Sequence, residues 1–144
     1  MELDEKDKAI LEILKRDSRK SFIDIGNMLN MSEAAVRRRV KNLVDRGVIK
    51  AFTIEIEKGY HVKALTFLSI DPNTPSNEVI SKLIKVRGIE TIYEVTGEYD
   101  AVAMIEVPDM HDLNRCIEEI RNIQGIKETN TAIILRQTKA SGYV

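Results

Sequence analysis

Apolar residues recur every three to four positions over roughly the first third of the chain and every second position thereafter, so helices should come first and a sheet later. Ile10, Leu11, Ile13 and Leu14, set among Lys and Glu, predict a helix from an Asp4 N-cap to about Arg16. A shorter one runs from a Ser21 cap through Ile23, Ile25, Met28 and Leu29. Asn30-Met31-Ser32 then leads into a third, capped by Ser32 and closed by Gly47. In this helix Val36, Val40 and Leu43 form a narrow apolar stripe, with Ala34, Arg38 and Lys41 on the opposite side. So tight a connection between the second and third helices makes a helix-turn-helix, and Gly26 is expected to let them cross. Val48 to Ile56 alternates in part and is where a wing would sit.

From Lys63 the period is that of strands. Ala64 to Ile70 reads as a strand and Asp71-Pro72-Asn73-Thr74-Pro75 as a loop. Ser76 should cap a helix bearing Val79, Ile80, Leu83 and Ile84 that Gly88 ends. Strands over Ile89 to Thr96 and Ala101 to Val107 flank a turn at Gly97-Glu98-Tyr99-Asp100. Pro108-Asp109 opens a helix through Leu113, Cys116, Ile117 and Ile120, and Ile126 to Leu135 is the last strand. The order is βαββαβ, and Val86-Arg87-Gly88-Ile89-Glu90 recurs as Ile123-Gln124-Gly125-Ile126-Lys127, each at a helix-to-strand junction. The chain is thus expected to be α+β, with an N-terminal winged helix-turn-helix over 1–50, a linker strand or hinge over 51–62 and a ferredoxin-like sandwich over 63–144. Leu65 and Phe67 alternate with Leu68 and Ile70, and Val102 and Met104 with Ala101, Ala103 and Ile105, so both sheet faces are apolar. Two helices cover one face. A second copy of the chain is the expected cover for the other.

Charge sharpens this division. The net charge is −1, but residues 1–50 hold 12 Lys/Arg and 9 Asp/Glu, net +3, against 10 and 14, net −4, in the remainder. Only the first part suits a polyanion. A small basic helix face suits the DNA major groove, where small side chains allow close approach and Arg reaches base edges and phosphates; a solvated surface is the bland alternative. No apolar run would span a bilayer and the first residues are too charged for a signal peptide, so a cytoplasmic protein without membrane association is expected. The single Cys116 falls in an apolar register and reads as a buried thiol. His61 and His111 stand alone, without metal-ligand spacing, and read as solvated residues; no metal or cofactor is called for. The βαββαβ order also hosts acylphosphatase-like enzymes, but the acidic loop after the first strand has no Arg or Gly-rich nest, and no nucleophile–histidine arrangement exists, so catalysis is not expected.

Leu3-Asp4, Asp7, Ile10-Leu11, Asp24-Ile25-Gly26, Met31-Ser32, Val36-Arg37-Arg38-Arg39-Val40, Leu43 and Gly47-Val48-Ile49 together resemble the N-terminal signature of the Lrp/AsnC (feast/famine) transcription regulators. The second half resembles the amino-acid-binding domain of that family, most sharply at Val95-Thr96-Gly97-Glu98-Tyr99-Asp100-Ala101. The resemblance implies a regulator that binds double-stranded DNA through the third helix, with Ser32, Glu33, Ala34, Arg37, Arg38, Arg39 and Lys41 as the DNA-facing set. The conserved Arg of the pattern falls on Arg39. Its helical phase lies at the edge of the packed face, which suits a phosphate contact or an intramolecular brace, whereas Arg38 with Ala34 suits base reading. The resemblance also implies an amino-acid effector held near the turn, between dimers, by Gly97, Tyr99 and Asp100 with Thr129 and Thr131 of the last strand. It further implies homodimers that assemble into larger rings such as octamers. Chemically, Gly97 admits a close approach, Asp100 can receive an α-ammonium group and Thr hydroxyls can hold a carboxylate. These residues could instead simply build a hairpin, and the protein could coat DNA as an architectural factor without any effector.

Overall fold

Three short polar side chains start the three N-terminal helices of the computed structural model, which describes residues 2–140. Asp4 accepts the Asp7 N–H ahead of α1 (Glu5–Arg16), Ser21 that of Asp24 ahead of α2 (Phe22–Leu29), and Ser32 that of Ala35 ahead of α3 (Glu33–Asp45). Each such cap contributes about 1 kcal/mol by pairing an otherwise orphaned amide. Ile10, Leu14, Ile25, Val36 and Val40 form one buried cluster, with Phe22, Leu29, Met31 and Ile49 packed against it. The turn between α2 and α3 passes through left-handed Asn30, and the Gly26 carbonyl accepts the N–H groups of both Asn30 and Met31. A Cβ on Gly26 would collide with the Met31 carbonyl oxygen, so the glycine is required by the turn backbone that rests on it.

The second compact unit begins at Glu57. It comprises β1 (Val62–Ile70), α4 (Ser76–Leu83), β2 (Ile89–Glu94), β3 (Ala101–Val107), α5 (Met110–Arg121) and β4 (Ile126–Ile133). The four strands form one antiparallel sheet in the order β2-β3-β1-β4. Ala64, Leu68, Ala101, Ala103, Ile105 and Val107 meet Val79, Leu83, Leu113, Cys116 and Ile120 of the two helices in a continuous core. Burial pushes the Cys116 thiol up to about 11, which keeps it protonated and unreactive. The repeated junction has a common geometry: Gly88 and Gly125 have φ of +108° and +100°, and a Cβ at either would stand 2.7 Å from Val107 Cγ1 or 2.6 Å from Thr74 Cγ2. Each glycine lets a chain leaving a helix turn at once into an edge strand.

On the opposite sheet face, Leu65 pairs with Met104 and Ala132, and Phe67 with Val102 and Asn130. Neither α4 nor α5 covers this face.

Several boundaries differ from the sequence reading. β1 starts at Val62, paired with Val107, and β2 and β4 stop short of Thr96 and Leu135. Ser76 is the first residue of α4 and not its cap; Pro75 holds the cap position without any side-chain hydrogen bond, and Ile84 lies beyond the helix, exposed. Among the described residues the stretch expected as a wing carries no strand: Val48 and Ile49 N–H both donate to the Leu43 carbonyl to finish α3, and Phe52, Ile54 and Ile56 follow exposed. A strand is defined by its pairing partner, and no strand is formed over 48–56 among the described residues. His61 is half-buried and not a freely solvated residue, with Nδ1 3.5 Å from Glu106 Oε1.

Candidate nucleic-acid interface and effector turn

The core stripe of α3 fixes what its other residues can do. With Val36, Val40 and Leu43 buried, Ala34, Arg38 and Lys41 face outward and are exposed. The two flanks are committed to neighbouring helices. On one, the Arg37 guanidinium pairs with Glu33 and lies 5.2 Å from the centroid of the Phe22 ring of α2. On the other, Arg39 Nη1 donates to Asp4 Oδ2 at 2.7 Å and Asp7 Oδ1 at 2.8 Å, both at the start of α1. Arg46, just past the helix, donates to Asn42 Oδ1 and the Glu2 carbonyl. Lys41 pairs with Asp45 one turn on. Among the described residues, Arg38 is therefore the cation of α3 with no hydrogen bond or ion pair.

Arg39 braces α3 against the start of α1 through these two bonds. The Asp7 N–H, and after it the Arg39 guanidinium, hold the Asp4 carboxyl below its ordinary range; the Asp4 and then Asp7 hydrogen bonds raise Arg39. Asp4 thus serves as helix cap and anion at once. The exposed Ser32 hydroxyl oxygen accepts the Ala35 N–H as the cap, and the exposed Glu33 carboxylate pairs with Arg37 through one oxygen.

At the turn after β2, Gly97 has φ +115° with open space where a Cβ would stand, so backbone conformation and not crowding demands glycine. Tyr99 packs its ring 5.4 Å from that of Phe67, and its hydroxyl accepts from Asn130 Nδ2 at 3.1 Å. The Asp100 N–H donates to the Leu68 carbonyl, its own carbonyl accepts from Val95, and its Oδ2 accepts the Ile70 N–H at 2.7 Å. That last bond captures an amide freed where β1 shifts register against β4, between Ser69 and Ile70. Asp100 also lines an open groove of about 460 Å³ with Ile70, Asp71, Thr74, Glu94 and Val95.

Thr129 and Thr131 lie apart from the turn side chains. Their register partners Leu68 and Thr66 point to the helix-covered face; Thr131 shares a 3.0 Å hydroxyl bond with Thr66, and Thr129 accepts from Arg121 Nε of α5. Tyr99 sits over the other face, beside Phe67 and Asn130. Within one chain the five residues do not converge on one site. Asn130, Asp71 and Glu94 near the turn were not singled out in the sequence, since nothing in their spacing marks them.

Residues 63–144 match the family model described as the Lrp/AsnC ligand binding domain, and residues 3–50 match the winged helix-turn-helix DNA-binding model. An HTH-type transcriptional regulator LysM from Saccharolobus solfataricus is 42% identical over 134 residues, 93% of this chain and 94% of that protein. Its namesake from Sulfurisphaera tokodaii is 39% identical over 94% of this chain and 96% of its own length. Among solved structures, a feast or famine regulatory protein from M. tuberculosis complexed with L-methionine superposes with a TM-score of 0.89 at 25% identity, covering 96% of both chains. E. coli AsnC, at 21% identity, shares the fold with a TM-score of 0.86 over 99% of this chain and 98% of its own. No helix among the described residues is long and apolar enough to cross a membrane.

Proposed function

We propose, from the premise that this chain belongs to the Lrp/AsnC family of helix-turn-helix transcriptional regulators, that it reads specific DNA sites through α3 and that a small effector, an amino acid, alters its DNA binding or assembly. The observation that carries the DNA reading is the outward strip of α3, where a small Ala34 allows close approach beside an unpaired Arg38 guanidinium. The protein works in the cytoplasm, as a regulator and not as an enzyme. Its uncovered sheet face packs against a second copy, and the paired α3 helices then meet successive major grooves about 10 bp apart, or a multiple of that, on a pseudo-palindromic site. Light scattering should find dimers or larger assemblies at micromolar concentration; a monomer would refute the pairing.

The effector reading draws on the ligand-binding domain, on the L-methionine complex of the M. tuberculosis relative, and on the groove beside Asp100. Asp100 Oδ2 is occupied by the Ile70 amide, leaving Oδ1 to receive an ammonium group. Thr129 and Thr131 would enter such a site only from another chain or after a change at their present partners. One observation favours a second reading, an architectural DNA-coating protein without an effector: Tyr99 and Asp100 both hold the turn and sheet together. Calorimetric titration with the amino acids separates the two readings. Saturable heat together with a shift in DNA affinity or assembly size supports the regulator, and the absence of heat supports the coating protein.

A further inference from the structure

We infer that the half-site read by α3 contains a guanine met by Arg38 and, one to two base-pair steps away, a thymine whose methyl group meets Ala34. The inference rests on the proposed DNA reading and specifies its chemistry. The other cations of α3, and Arg46 just past it, are engaged among the described residues: Arg37 between Glu33 and the Phe22 ring, Arg39 against Asp4 and Asp7, Lys41 on Asp45, Arg46 on Asn42 and the Glu2 carbonyl. Arg38 is exposed and unpaired among the described residues, and it points away from the buried stripe.

A free guanidinium presents a planar fork of donors, and in the major groove guanine alone offers two adjacent acceptors, N7 and O6, on a single base. Adenine sets a donor beside its N7 and would face that fork with a like group. Ala34 stands one turn earlier on the same face, about 6 Å along the axis at a rise of ~1.5 Å per residue. That spans nearly two base-pair steps of ~3.4 Å when the helix follows the groove, and fewer when it crosses obliquely. A Cβ methyl has no polar atom to satisfy, and its complement on a base edge is the thymine C5 methyl. Glu33, which could accept from a cytosine amine, has one carboxylate oxygen paired with Arg37.

The test uses the full chain and duplexes it enriches from a randomised pool. Within the enriched site each guanine is replaced in turn by 7-deazaguanine, which lacks the N7 acceptor, and each thymine by deoxyuracil, which lacks only the methyl. One guanine per half-site should prove critical, its replacement weakening binding about tenfold. Arg38→Ala removes the donors that face the guanine, so it should bind the unmodified and 7-deaza duplexes equally, while its salt dependence stays close to that of the wild type because Arg38 meets a base and not a phosphate. One thymine near that guanine should lose about fourfold on replacement by deoxyuracil, the worth of a buried methyl, and Ala34→Gly should abolish that difference. Circular dichroism confirms that both variants remain folded. An enriched site without a critical guanine, or an Arg38→Ala protein as sensitive to 7-deazaguanine as the wild type, overturns the assignment while leaving sequence-specific binding intact. A pool from which nothing is enriched removes the DNA reading itself, and the base assignment with it.

Discussion

Arg39→Ala should unfold the N-terminal unit more easily and not merely loosen its hold on phosphate. Its Nη1 bridges two carboxylates with unequal surroundings. The Asp4 side chain is 54% exposed, so water screens its bond and it contributes little. The Asp7 side chain is only 12% exposed, so removing its partner leaves a largely desolvated anion unsatisfied, which costs about 1 to 3 kcal/mol. The loss is therefore set by Asp7, at about 1 to 3 kcal/mol. For some 55 residues at ~0.05 to 0.15 kcal/mol each, total stability is about 3 to 8 kcal/mol, so the variant should lie near the edge of folding. Urea titration followed by circular dichroism at 222 nm measures this in the full chain, where the helical transition of the first unit should move to lower urea. A double-mutant cycle with Asp7→Asn isolates the pair and should return a coupling of about 1 kcal/mol or more. A cycle close to zero, or a variant with an unchanged midpoint and uniformly weaker DNA binding, would refute the brace and return Arg39 to the phosphate backbone.

Gly26→Ala should destabilise the same unit by about 1 to 3 kcal/mol, against the roughly 1 kcal/mol gain usual for that change within a helix, because the new methyl meets the Met31 carbonyl; a higher melting temperature would contradict the packing. Acid should act through Asp4. Its folded-state pKa is depressed, first by the Asp7 amide and then by Arg39, so its contribution is complete above its ordinary value of 3.8 and disappears as the pH falls through the lower folded value. Asp4→Asn, which keeps the cap acceptor but does not ionise, should flatten the stability profile of the N-terminal unit below pH ~4 in chemical denaturation experiments. At the turn, Asp100→Ala should cost about 1 to 3 kcal/mol by orphaning the Ile70 amide, whereas Asp100→Asn keeps that bond and lowers effector affinity about tenfold. Unchanged amino-acid affinity by calorimetry in the Asn variant would confine Asp100 to its structural role.

The features legible in the sequence were those decided within a few residues. Asp4, Ser21 and Ser32 cap their helices because the amide each satisfies lies three positions ahead, and the buried stripe of α3 follows from helical periodicity. The edge position of Arg39 was visible in the same way. Its partners were not, because Asp4 and Asp7 lie 35 and 32 residues away and meet it only when α1 and α3 pack. The orientation of Thr129 and Thr131 depends on strand register, where a shift of one residue exchanges the faces, and β1 changes register against β4 at Ser69/Ile70. Alternation showed that both faces were apolar but could not say which one Tyr99 would overlie. The alternation over 48–56 marked where a wing would sit, but a strand also needs a partner, which that stretch does not specify.

The uncovered sheet face has a thermodynamic consequence. Leu65, Phe67, Val102 and Met104 are half-buried in the isolated chain, and their remaining apolar surface leaves water only when something docks there. If the cover is another copy, folding and association become one equilibrium, and the melting temperature rises with the protein's own concentration by mass action. A newly made chain at low abundance is then at its most vulnerable to proteolysis, and a mature pool protects itself. The amount of protein would set its lifetime as well as its occupancy of DNA.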